Sequence, residues 1–172
     1  SHDGQPTGFL NAEEVTAFRT ALASTLLLCR RPLLKTPTVF GAGKQAYWHI
    51  RLALLLRGHT IKNINIINRT LSIRTKNLMK SFMQVNQATK AYEGWTNARF
   101  AILSPEYGEY DRLIKEQLRA ADAIIMTVPS TEPLFDHSIL TSTEGRKKGR
   151  LLIAIGSYKP HMIEIPTEML LQ

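Results

Sequence analysis

The sequence is poor in cysteine and has no long apolar run, and each absence excludes a class of protein. Its single cysteine, Cys29, can form neither an internal disulfide nor a cysteine-based structural zinc site. Such cysteine usage is typical of a reducing compartment, so we expect a cytoplasmic protein. The longest apolar runs, such as residues 52–56 and 151–155, are far too short to cross a bilayer, and no membrane partner is expected.

The chain also lacks an initiating methionine and a secretory signal pattern, because it opens with the polar residues Ser1-His2-Asp3-Gly4. Two interpretations of this start remain open. Either the first two residues are a remnant of expression, or the chain is one domain of a longer protein. We favour the second interpretation.

Acidic residues are fewer than basic ones: 14 Asp and Glu accompany 22 Lys and Arg, which gives a net charge of +8. A basic excess can indicate nucleic-acid binding when the charges are clustered on one surface. Here the basic residues are spread along the chain, and only Arg146-Lys147-Lys148 form a cluster. We therefore expect no nucleic-acid partner.

Short apolar strands alternate with longer helical periods, which is typical of βαβ units and a parallel sheet. Strands are predicted at residues 36–40, 61–67, 99–103, 123–128 and 150–155. Helices are predicted at residues 44–57, 70–84 and 109–120, with a polar connector between the last two. We therefore predict an α/β fold, a Rossmann-type doubly wound parallel sheet with flanking helices. It covers residues 31–172, and a lead-in segment with one helix, residues 1–30, packs on it.

The lead-in segment carries a helix-start signal and an arginine at an unusual place. Asn11 followed by Glu14 predicts a capping pair, in which each side chain binds a backbone N–H group. One face is then apolar at helical spacing, and we expect it to be buried: Val15, Phe18, Leu22 and Leu26. Arg19 lies roughly 55° from the centre of this face, and an arginine so placed needs an anion or carbonyl groups as partners.

Between the first predicted strand and the next helix, residues 41–46 form a G-x-G-x-x-A pattern. Gly41 permits a tight turn, and Gly43 lets the backbone approach a pyrophosphate with no Cβ in the way. Ala46 keeps the helix close to the sheet, and the helix N-terminus offers unpaired N–H groups to phosphates. Because a strand precedes the pattern and a helix follows it, we favour a dinucleotide site over a purely structural turn.

No acidic residue occurs in residues 61–92, where an NAD-binding domain usually carries one that holds the ribose hydroxyls. The second strand ends instead in Asn68-Arg69-Thr70. We predict that Arg69 binds the 2′-phosphate of NADPH, with its two neighbours as neutral partners. Arg74 and Lys76 add positive potential on the next helix. NADPH is therefore favoured over NADH, and the alternative is that these residues form a solvated basic surface.

With these residues in view, the chain resembles the ornithine cyclodeaminase/mu-crystallin family, and its ketimine reductases more than its bacterial cyclodeaminases. The resemblance covers nearly the whole chain in the family's order. It is carried by residues 10–24 with Arg19-Thr20-Ala21, by Phe40-Gly41-Ala42-Gly43-Lys44-Gln45-Ala46-Tyr47, by Asn68-Arg69-Thr70, by residues 121–133, and by Ile155-Gly156-Ser157-Tyr158-Lys159-Pro160 with Glu164.

The resemblance implies roles for the matched positions. Arg19 and Thr20 would face the nicotinamide or the substrate carboxylate, and Arg19 is the expected substrate-binding residue. The other cofactor-binding positions would be Gly41, Ala42, Gly43, Lys44, Gln45, Asn68, Arg69, Thr70, Thr127, Val128 and Gly156. No catalytic residue is identified. Members of the family reduce cyclic imines, convert ornithine to proline, or bind NADPH and hormones.

Two departures from the family pattern leave the activity open. Tyr158 stands where cyclodeaminases carry an acidic residue, which puts ornithine deamination in doubt. The family's substrate-binding lysine and second arginine precede the matched region, and its substrate and dimerisation domain is absent from this chain. We expect a ketimine reductase-like oxidoreductase that takes a small imine or amino acid. It would be a homodimer when full length and inactive as the isolated chain. The alternatives are a non-catalytic NADPH or small-ligand binder and an NAD-dependent ornithine cyclodeaminase.

Several chemistry-bearing side chains are predicted to have structural roles only. They are the surface residue His59, the packing residues Trp48 and Trp95, and Cys29, which has no histidine near it in sequence. His49 lies beside the inward face of a helix and is expected to be a hydrogen-bonded core residue, and Asp122 to cap or pair. No cluster has metal-ligand spacing, so no metal is expected.

Overall fold

A computed structural model of the chain describes residues 3–9 and 11–171. Leu10, the first residue of the segment 10–24 that carries the family resemblance, lies outside the described residues, as do Ser1 and His2 at the start. Gln172, the last residue of the predicted domain, lies outside them too. The described part of the chain forms one parallel sheet with helices on both faces.

The sheet has five strands, and every pair of neighbouring strands runs parallel. They are β1 (Pro37–Phe40), β2 (Asn63–Ile67), β3 (Arg99–Leu103), β4 (Ala123–Met126) and β5 (Leu151–Ala154). Their order, β3-β2-β1-β4-β5, confirms the predicted doubly wound α/β fold. Because the order reverses between β1 and β4, a crevice opens at the carboxyl ends of these two strands, which is where such sheets bind ligands.

Helices connect the strands, and the longer ones lie where they were expected. They are α1 (Glu13–Leu28), α2 (Lys44–Arg57), α3 (Ile73–Met83), α4 (Gln87–Tyr92), α5 (Tyr110–Ala120), α6 (Ser138–Thr141), α7 (Thr143–Arg146) and α8 (Thr167–Leu170), with a 3-10 turn at Gly58–Thr60. The prediction of α2 is confirmed at both ends. In the described part of the chain, no helix is both long enough and apolar enough to span a bilayer.

Side-chain caps explain where the structure departs from the helix predictions. α3 begins at Ile73 rather than Thr70, because the hydroxyl of Ser72 accepts a hydrogen bond from the N–H of Thr75. α4 lies in the segment predicted to be a polar connector. Its N-cap, Asn86, accepts a hydrogen bond from the backbone N–H three residues later at 2.7 Å.

The two faces of the sheet bury separate apolar clusters. Alternate residues of β4 show the division, since Ile125 belongs to one cluster and Ile124 and Met126 belong to the other. The first cluster includes the inward face predicted for α2, whose members are at most 2% exposed: Ala46, Ile50, Ala53 and Leu54. With both faces covered, the strand ends are the part of the sheet that remains open to a ligand.

The buried side of α1, which packs on α2, consists mostly of small residues. The buried residues of α1 are Ala17, Ala21, Ser24, Thr25 and Leu28. The face predicted to be buried is exposed: Val15, Phe18, Leu22 and Leu26 have exposed fractions of 50%, 37%, 44% and 69%. That prediction is wrong because small side chains let the two helices approach closely, which turns the larger residues of α1 outward.

One half of the predicted capping pair forms at the start of α1. The side chain of Asn11 accepts a hydrogen bond from the N–H of Glu13 at 3.1 Å. The carboxylate of Glu14 is directed elsewhere: it lies 2.6 Å from Nζ of Lys44 and accepts a hydrogen bond from the indole of Trp48 at 3.0 Å. Glu14 therefore connects α1 to the start of α2 instead of capping α1.

Asp122 has the pairing role predicted for it, at the amino ends of the strands. Its Oδ2 accepts hydrogen bonds from the N–H groups of Lys35 and Thr36, both at 2.8 Å. Its Oδ1 lies 2.8 Å from Nζ of Lys148. Burial alone would raise the pKa of Asp122, but Lys148 and the two N–H groups together lower it. Asp122 thus stabilises the end of the sheet opposite the crevice.

The remaining predicted structural residues also lie as expected. Trp95 is 2% exposed in the core, and Trp48 packs edge-on against Phe18 with ring centroids 5.1 Å apart. Cys29 and His59 are exposed. Within residues 3–9 and 11–171, no group of three or more acidic, histidine or cysteine side chains could hold a metal ion.

Candidate functional site

The turn that follows β1 needs glycine at its first position. Gly41 has φ +106, a conformation that other residues rarely adopt. A Cβ there would lie 2.6 Å from Oγ1 of Thr127 and 3.0 Å from a methyl group of Val128. The N–H of Gly41 donates to the carbonyl of Ile67 at 2.9 Å, which joins the turn to the end of β2. The predicted role of Gly41 in a tight turn is therefore confirmed.

Gly43 differs from Gly41, because nothing in the described chain requires a glycine there. Its backbone is extended, with φ −91 and ψ −172, and a Cβ would meet no atom within 4 Å. The space beside Gly43 is therefore open to a ligand that approaches the backbone closely. This is the geometry expected of the second glycine in a pyrophosphate-binding turn.

The N-terminus of α2 begins at this turn and has no side-chain cap. Its N-cap is Gly43, and the first helical hydrogen bond runs from the N–H of Tyr47 to the carbonyl of Gly43 at 3.0 Å. The N–H groups of Lys44, Gln45 and Ala46 precede that bond, so they are the orphan donors of the helix end. Together with the positive end of the helix dipole, they form a suitable site for a phosphate group.

The side chain of Lys44 is directed toward α1. Its Nζ lies 2.6 Å from a carboxylate oxygen of Glu14 and 3.1 Å from one of Glu13. The hydrogen bond to Glu14, followed by that to Glu13, raises the pKa of Lys44. The ammonium also offsets two carboxylates that would otherwise repel a phosphate at the turn. Any contact of this residue with a pyrophosphate would therefore be made by its backbone N–H.

Two adjoining cavities open on either side of the turn. The larger, here called the main cleft, has a volume of about 1070 Å³ and lies over the carboxyl ends of β1, β2 and β4. The smaller, here called the side cavity, has a volume of about 750 Å³ and lies between α1, α2 and α3. Both are lined by Ala42, Gly43, Arg74 and Thr127. Cavities of this size accommodate nucleotide-sized ligands.

The segment Asn68-Arg69-Thr70 lines the main cleft at the end of β2, as predicted. Nδ2 of Asn68 donates to the carbonyl of Thr70 at 2.8 Å and to the hydroxyl of Thr75 at 2.9 Å. Asn68 therefore shapes the turn, and only its side-chain oxygen remains for a ligand. Arg69 is exposed beside the cleft, and its carbonyl accepts a hydrogen bond from the hydroxyl of Ser104 at 3.2 Å. This bond fixes the backbone from which the guanidinium extends.

The structure brings one acidic side chain to this turn that the sequence pattern did not predict. Oε2 of Glu106, in the loop after β3, accepts a hydrogen bond from the N–H of Leu71 at 3.3 Å. Glu106 lies outside the 61–92 window, so no local signal could have found it. The neighbouring Pro105 lines the main cleft, whereas Glu106 does not.

β4 ends at Met126 and not at Val128 as predicted, so Thr127 and Val128 follow directly after its carboxyl end, where they line the main cleft. The N–H and the hydroxyl of Thr127 both donate to the carbonyl of Phe40, at 3.0 and 2.7 Å. These bonds join β4 to β1 at the point where the strand order reverses. Gly156 is buried behind Val128, and a Cβ there would lie 2.5 Å from Oε1 of Glu164. A role for Gly156 in binding the cofactor stays a prediction.

Arg19 and Thr20 do not line either cavity. Arg19 is exposed because the apolar face beside it is exposed, so the expectation that it lies beside a buried face is wrong. The hydroxyl of Thr20 donates to the carbonyl of Thr16 within α1 at 2.8 Å. Thr16 and Ala17 are the residues by which this part of α1 lines the side cavity. The substrate-binding role of Arg19 stays a prediction.

No protein-family model matches the chain. Curated relatives include an uncharacterized cyclodeaminase of Dictyostelium discoideum, 29% identical over 164 residues, which are 91% of this chain and 42% of the relative. They also include an uncharacterized protein of Saccharomyces cerevisiae, 27% identical over 97% of this chain and 48% of that protein. The chain therefore spans about half the length of the curated relatives it matches.

Solved structures with the same fold as this chain include the following two. A probable ornithine cyclodeaminase from Bordetella pertussis Tohama I has a TM-score of 0.67 and 23% identity, over 99% of this chain and 46% of that one. The Δ1-pyrroline-2-carboxylate reductase of Thermococcus litoralis was solved in complex with NADH and L-proline. It has a TM-score of 0.66 and 16% identity, over 92% of this chain and 42% of that one. The predicted resemblance is thus confirmed in the fold, which this chain shares with a probable ornithine cyclodeaminase and a Δ1-pyrroline-2-carboxylate reductase.

Proposed function

We propose that this chain is the NADPH-binding domain of an imine-reducing oxidoreductase of the ornithine cyclodeaminase/mu-crystallin family. The observation that carries the proposal is the open backbone at Gly43, beside the uncapped N-terminus of α2. These groups meet at the reversal of the strand order, where dinucleotides bind in this fold. Nothing within the described chain needs a glycine at this position, but a pyrophosphate does.

Arg69 supports NADPH rather than NADH. Its guanidinium extends from a turn that Asn68 and Ser104 hold in place, beside the main cleft and at the end of β2. Two N–H donors of the guanidinium could bind two oxygens of a 2′-phosphate, whereas the 2′-hydroxyl of NADH offers a single uncharged oxygen. The reductase of Thermococcus litoralis was solved with NADH. The preference for the phosphorylated cofactor therefore rests on this chain's own arginine.

When bound, NADPH would supply the hydride, so the task of this chain is to hold and orient the cofactor. The substrate would be a small cyclic imine or an amino acid with a carboxylate. The L-proline bound to the reductase of Thermococcus litoralis belongs to that class. Arg19 would bind the substrate carboxylate once the rest of the protein surrounds it.

The apolar face of α1 supports a second domain. Because the relatives are about twice as long as this chain, we infer that their substrate and dimerisation domain covers Val15, Phe18, Leu22 and Leu26. The full-length protein would be a cytoplasmic homodimer, and residues 1–30 would link its two domains. The isolated chain would bind NADPH without turnover.

A binding protein without catalysis is the second candidate function. Tyr158, 70% exposed, stands where cyclodeaminases carry an acidic residue, which favours imine reduction or simple binding over ornithine deamination. Adding Δ1-piperideine-2-carboxylate to the full-length protein and following NADPH absorbance separates the two functions. Loss of absorbance establishes the reductase, and no turnover across a panel of cyclic imines favours the binding protein.

Fluorescence titration with NADPH and NADH tests the cofactor assignment on this chain. We expect NADPH to bind roughly 10- to 100-fold more tightly, as one charge-assisted contact of about 1.5–3 kcal/mol implies. Arg69→Ala should remove this preference and leave NADH binding unchanged. Arg99→Ala, at the amino end of β3 and also exposed, is the matched control and should bind both nucleotides as the wild type does. Equal wild-type affinities for the two nucleotides would contradict the assignment.

A further inference from the structure

The carboxylate of Glu164 holds the backbone of two separate segments behind the main cleft. Its Oε1 accepts a hydrogen bond from the N–H of Val128 at 3.1 Å. Its Oε2 accepts hydrogen bonds from the N–H groups of Gly156 and Ser157, at 2.7 and 3.0 Å. Glu164 is 1% exposed, and within residues 3–9 and 11–171 no basic side chain forms an ion pair with it.

These bonds continue the sheet beyond its last ladder bond. The N–H of Ile155 donates to the carbonyl of Met126 at 3.1 Å, and past that point β4 and β5 are joined through Glu164. The neighbouring Ile163 donates its N–H to the carbonyl of Ser130 at 2.7 Å, which holds the same segment against the wall of the cleft. Glu164 therefore fixes the position of Val128, which lines the main cleft, relative to the end of β5.

Burial of a carboxylate without a cation costs free energy, so Glu164 must do something there that an apolar residue could not. Burial raises the pKa of Glu164, while the three N–H groups and the hydroxyl of Ser157 act in the opposite direction. An apolar residue could fill the same volume at lower cost, but it could not bind three N–H groups at once.

We propose that Glu164 is a positioning residue for the nicotinamide half of the cofactor, acting through Val128 and the backbone at Gly156. The inference rests on the proposed function, because it requires a dinucleotide in the main cleft. In a doubly wound sheet, the half that contains β1, β2 and β3 binds the adenosine, and the half on the β4 side binds the nicotinamide. Glu164 acts on the second half alone, whereas Arg69 belongs to the first.

Glu164→Gln is the informative variant, since it keeps the shape and removes one acceptor. An amide has one oxygen and one NH2 group. In either orientation, the NH2 group would face the N–H of Val128 or those of Gly156 and Ser157. The wall of the cleft must then shift, while the adenosine side, more than one strand away, is unchanged.

The experiment compares two ligands: NADPH, and 2′,5′-ADP, which carries the adenosine with its 2′- and 5′-phosphates but no nicotinamide. For Glu164→Gln we expect NADPH binding to weaken about tenfold, as the loss of one buried hydrogen bond implies, and 2′,5′-ADP binding to stay within about twofold. Glu168→Gln, an exposed carboxylate in α8, is the matched control and should bind both ligands as the wild type does. Should Glu164→Gln fail to fold, Glu164→Asp keeps the charge but is too short for both segments, and the same selective loss is expected.

The two proposals fail in different ways. Equal weakening of both ligands, together with a lowered melting temperature, would show that Glu164 only stabilises the fold. Unchanged NADPH binding would also overturn the inference. If the wild-type chain binds neither NADPH nor 2′,5′-ADP, the proposed function itself is wrong.

Discussion

The imidazole of His49 in α2 lies 3.0 Å from the hydroxyl oxygen of Ser24 in α1, and this contact is a polar link between the two helices. The other ring nitrogen, Nδ1, lies 2.7 Å from the carbonyl of Gln45. Because a carbonyl can only accept, Nδ1 donates to Gln45, while the hydroxyl of Ser24 lies within reach of both Nε2 and the carbonyl of Thr20, at 3.0 and 3.2 Å. His49 has no exposed surface, and burial lowers its pKa below the usual value.

The stability of the fold should therefore fall in weak acid. The unfolded chain protonates His49 near pH 6.5, whereas the folded chain resists protonation to lower pH. Stability is unaffected well above that value and is lost as the pH decreases below it, until the folded chain is protonated too. Urea unfolding at pH 7.5 and 5.5 measures the loss, which should be absent in His49→Gln and present in His59→Gln, the exposed control.

The contribution of Glu164 to stability changes with pH in the opposite direction to that of His49, so the wild type and the His49→Gln variant must be compared. Its pKa is raised from 4.5, which means that the folded state binds more protons than the unfolded state above that pH. Its contribution therefore grows as the pH falls, in part of the same range. The effect of His49 is the difference between the wild type and His49→Gln, and equal pH slopes for the two would contradict the prediction.

The buried side of an element could be predicted where its apolar residues form one continuous face. It could not be predicted where the apolar pattern does not show which element packs against it. β4 is buried at every position, and α2 has one continuous inward face, so both follow from local pattern. For α1 the periodicity shows that an apolar face exists but not which partner covers it. Ala17 and Ala21 carry little hydrophobic signal, yet they belong to the buried side of α1.

The candidate site shows the same division between local and long-range information. The positions of Gly41, Gly43 and Arg69 beside the main cleft could be predicted, because adjacent residues determine the turns on which they lie. Glu106 could not, since 35 residues separate it from Leu71, whose N–H it accepts. Such a contact depends on how β2 and β3 pair, which becomes known only with the complete sheet.

Two glycines in the same turn should respond differently to substitution by alanine. Gly41→Ala must hold a left-handed backbone and place its Cβ 2.6 Å from the hydroxyl of Thr127, so we expect a loss of about 2–4 kcal/mol in the free energy of unfolding. Gly43→Ala meets no neighbour and should unfold like the wild type. Its NADPH affinity should nevertheless fall at least about tenfold, because the Cβ occupies space that the pyrophosphate needs.

Urea unfolding and NADPH titration of both variants check this pair. Each variant serves as the control for the other, since the substitution is the same and only the position changes. An unstable Gly43→Ala, or one that binds NADPH as the wild type does, would show that the open space beside Gly43 is not the phosphate site.

Arg51 and Glu93 form a two-point ion pair that should be strongly coupled energetically. The guanidinium nitrogens lie 2.7 and 2.6 Å from the two carboxylate oxygens, and the indole N–H of Trp95 donates to the same carboxylate at 2.6 Å. The side chain of Glu93 is only 5% exposed. Arg51→Met should therefore cost about 3 kcal/mol, because it leaves a buried carboxylate without its cation.

Adding Glu93→Gln to Arg51→Met should recover part of that loss, so that the double variant is more stable than the sum of the two single changes predicts. Unfolding followed by tryptophan fluorescence gives the four free energies, since Trp95 reports on this cluster directly. Arg112 and Glu116 provide the control cycle: they form an ion pair of the same length, 2.6 Å, but both side chains are 58% exposed. Solvent screens the Arg112–Glu116 pair, so its coupling energy should be much smaller than that of Arg51 and Glu93. Equal coupling in the two cycles would mean that the burial of Glu93 does not strengthen its ion pair.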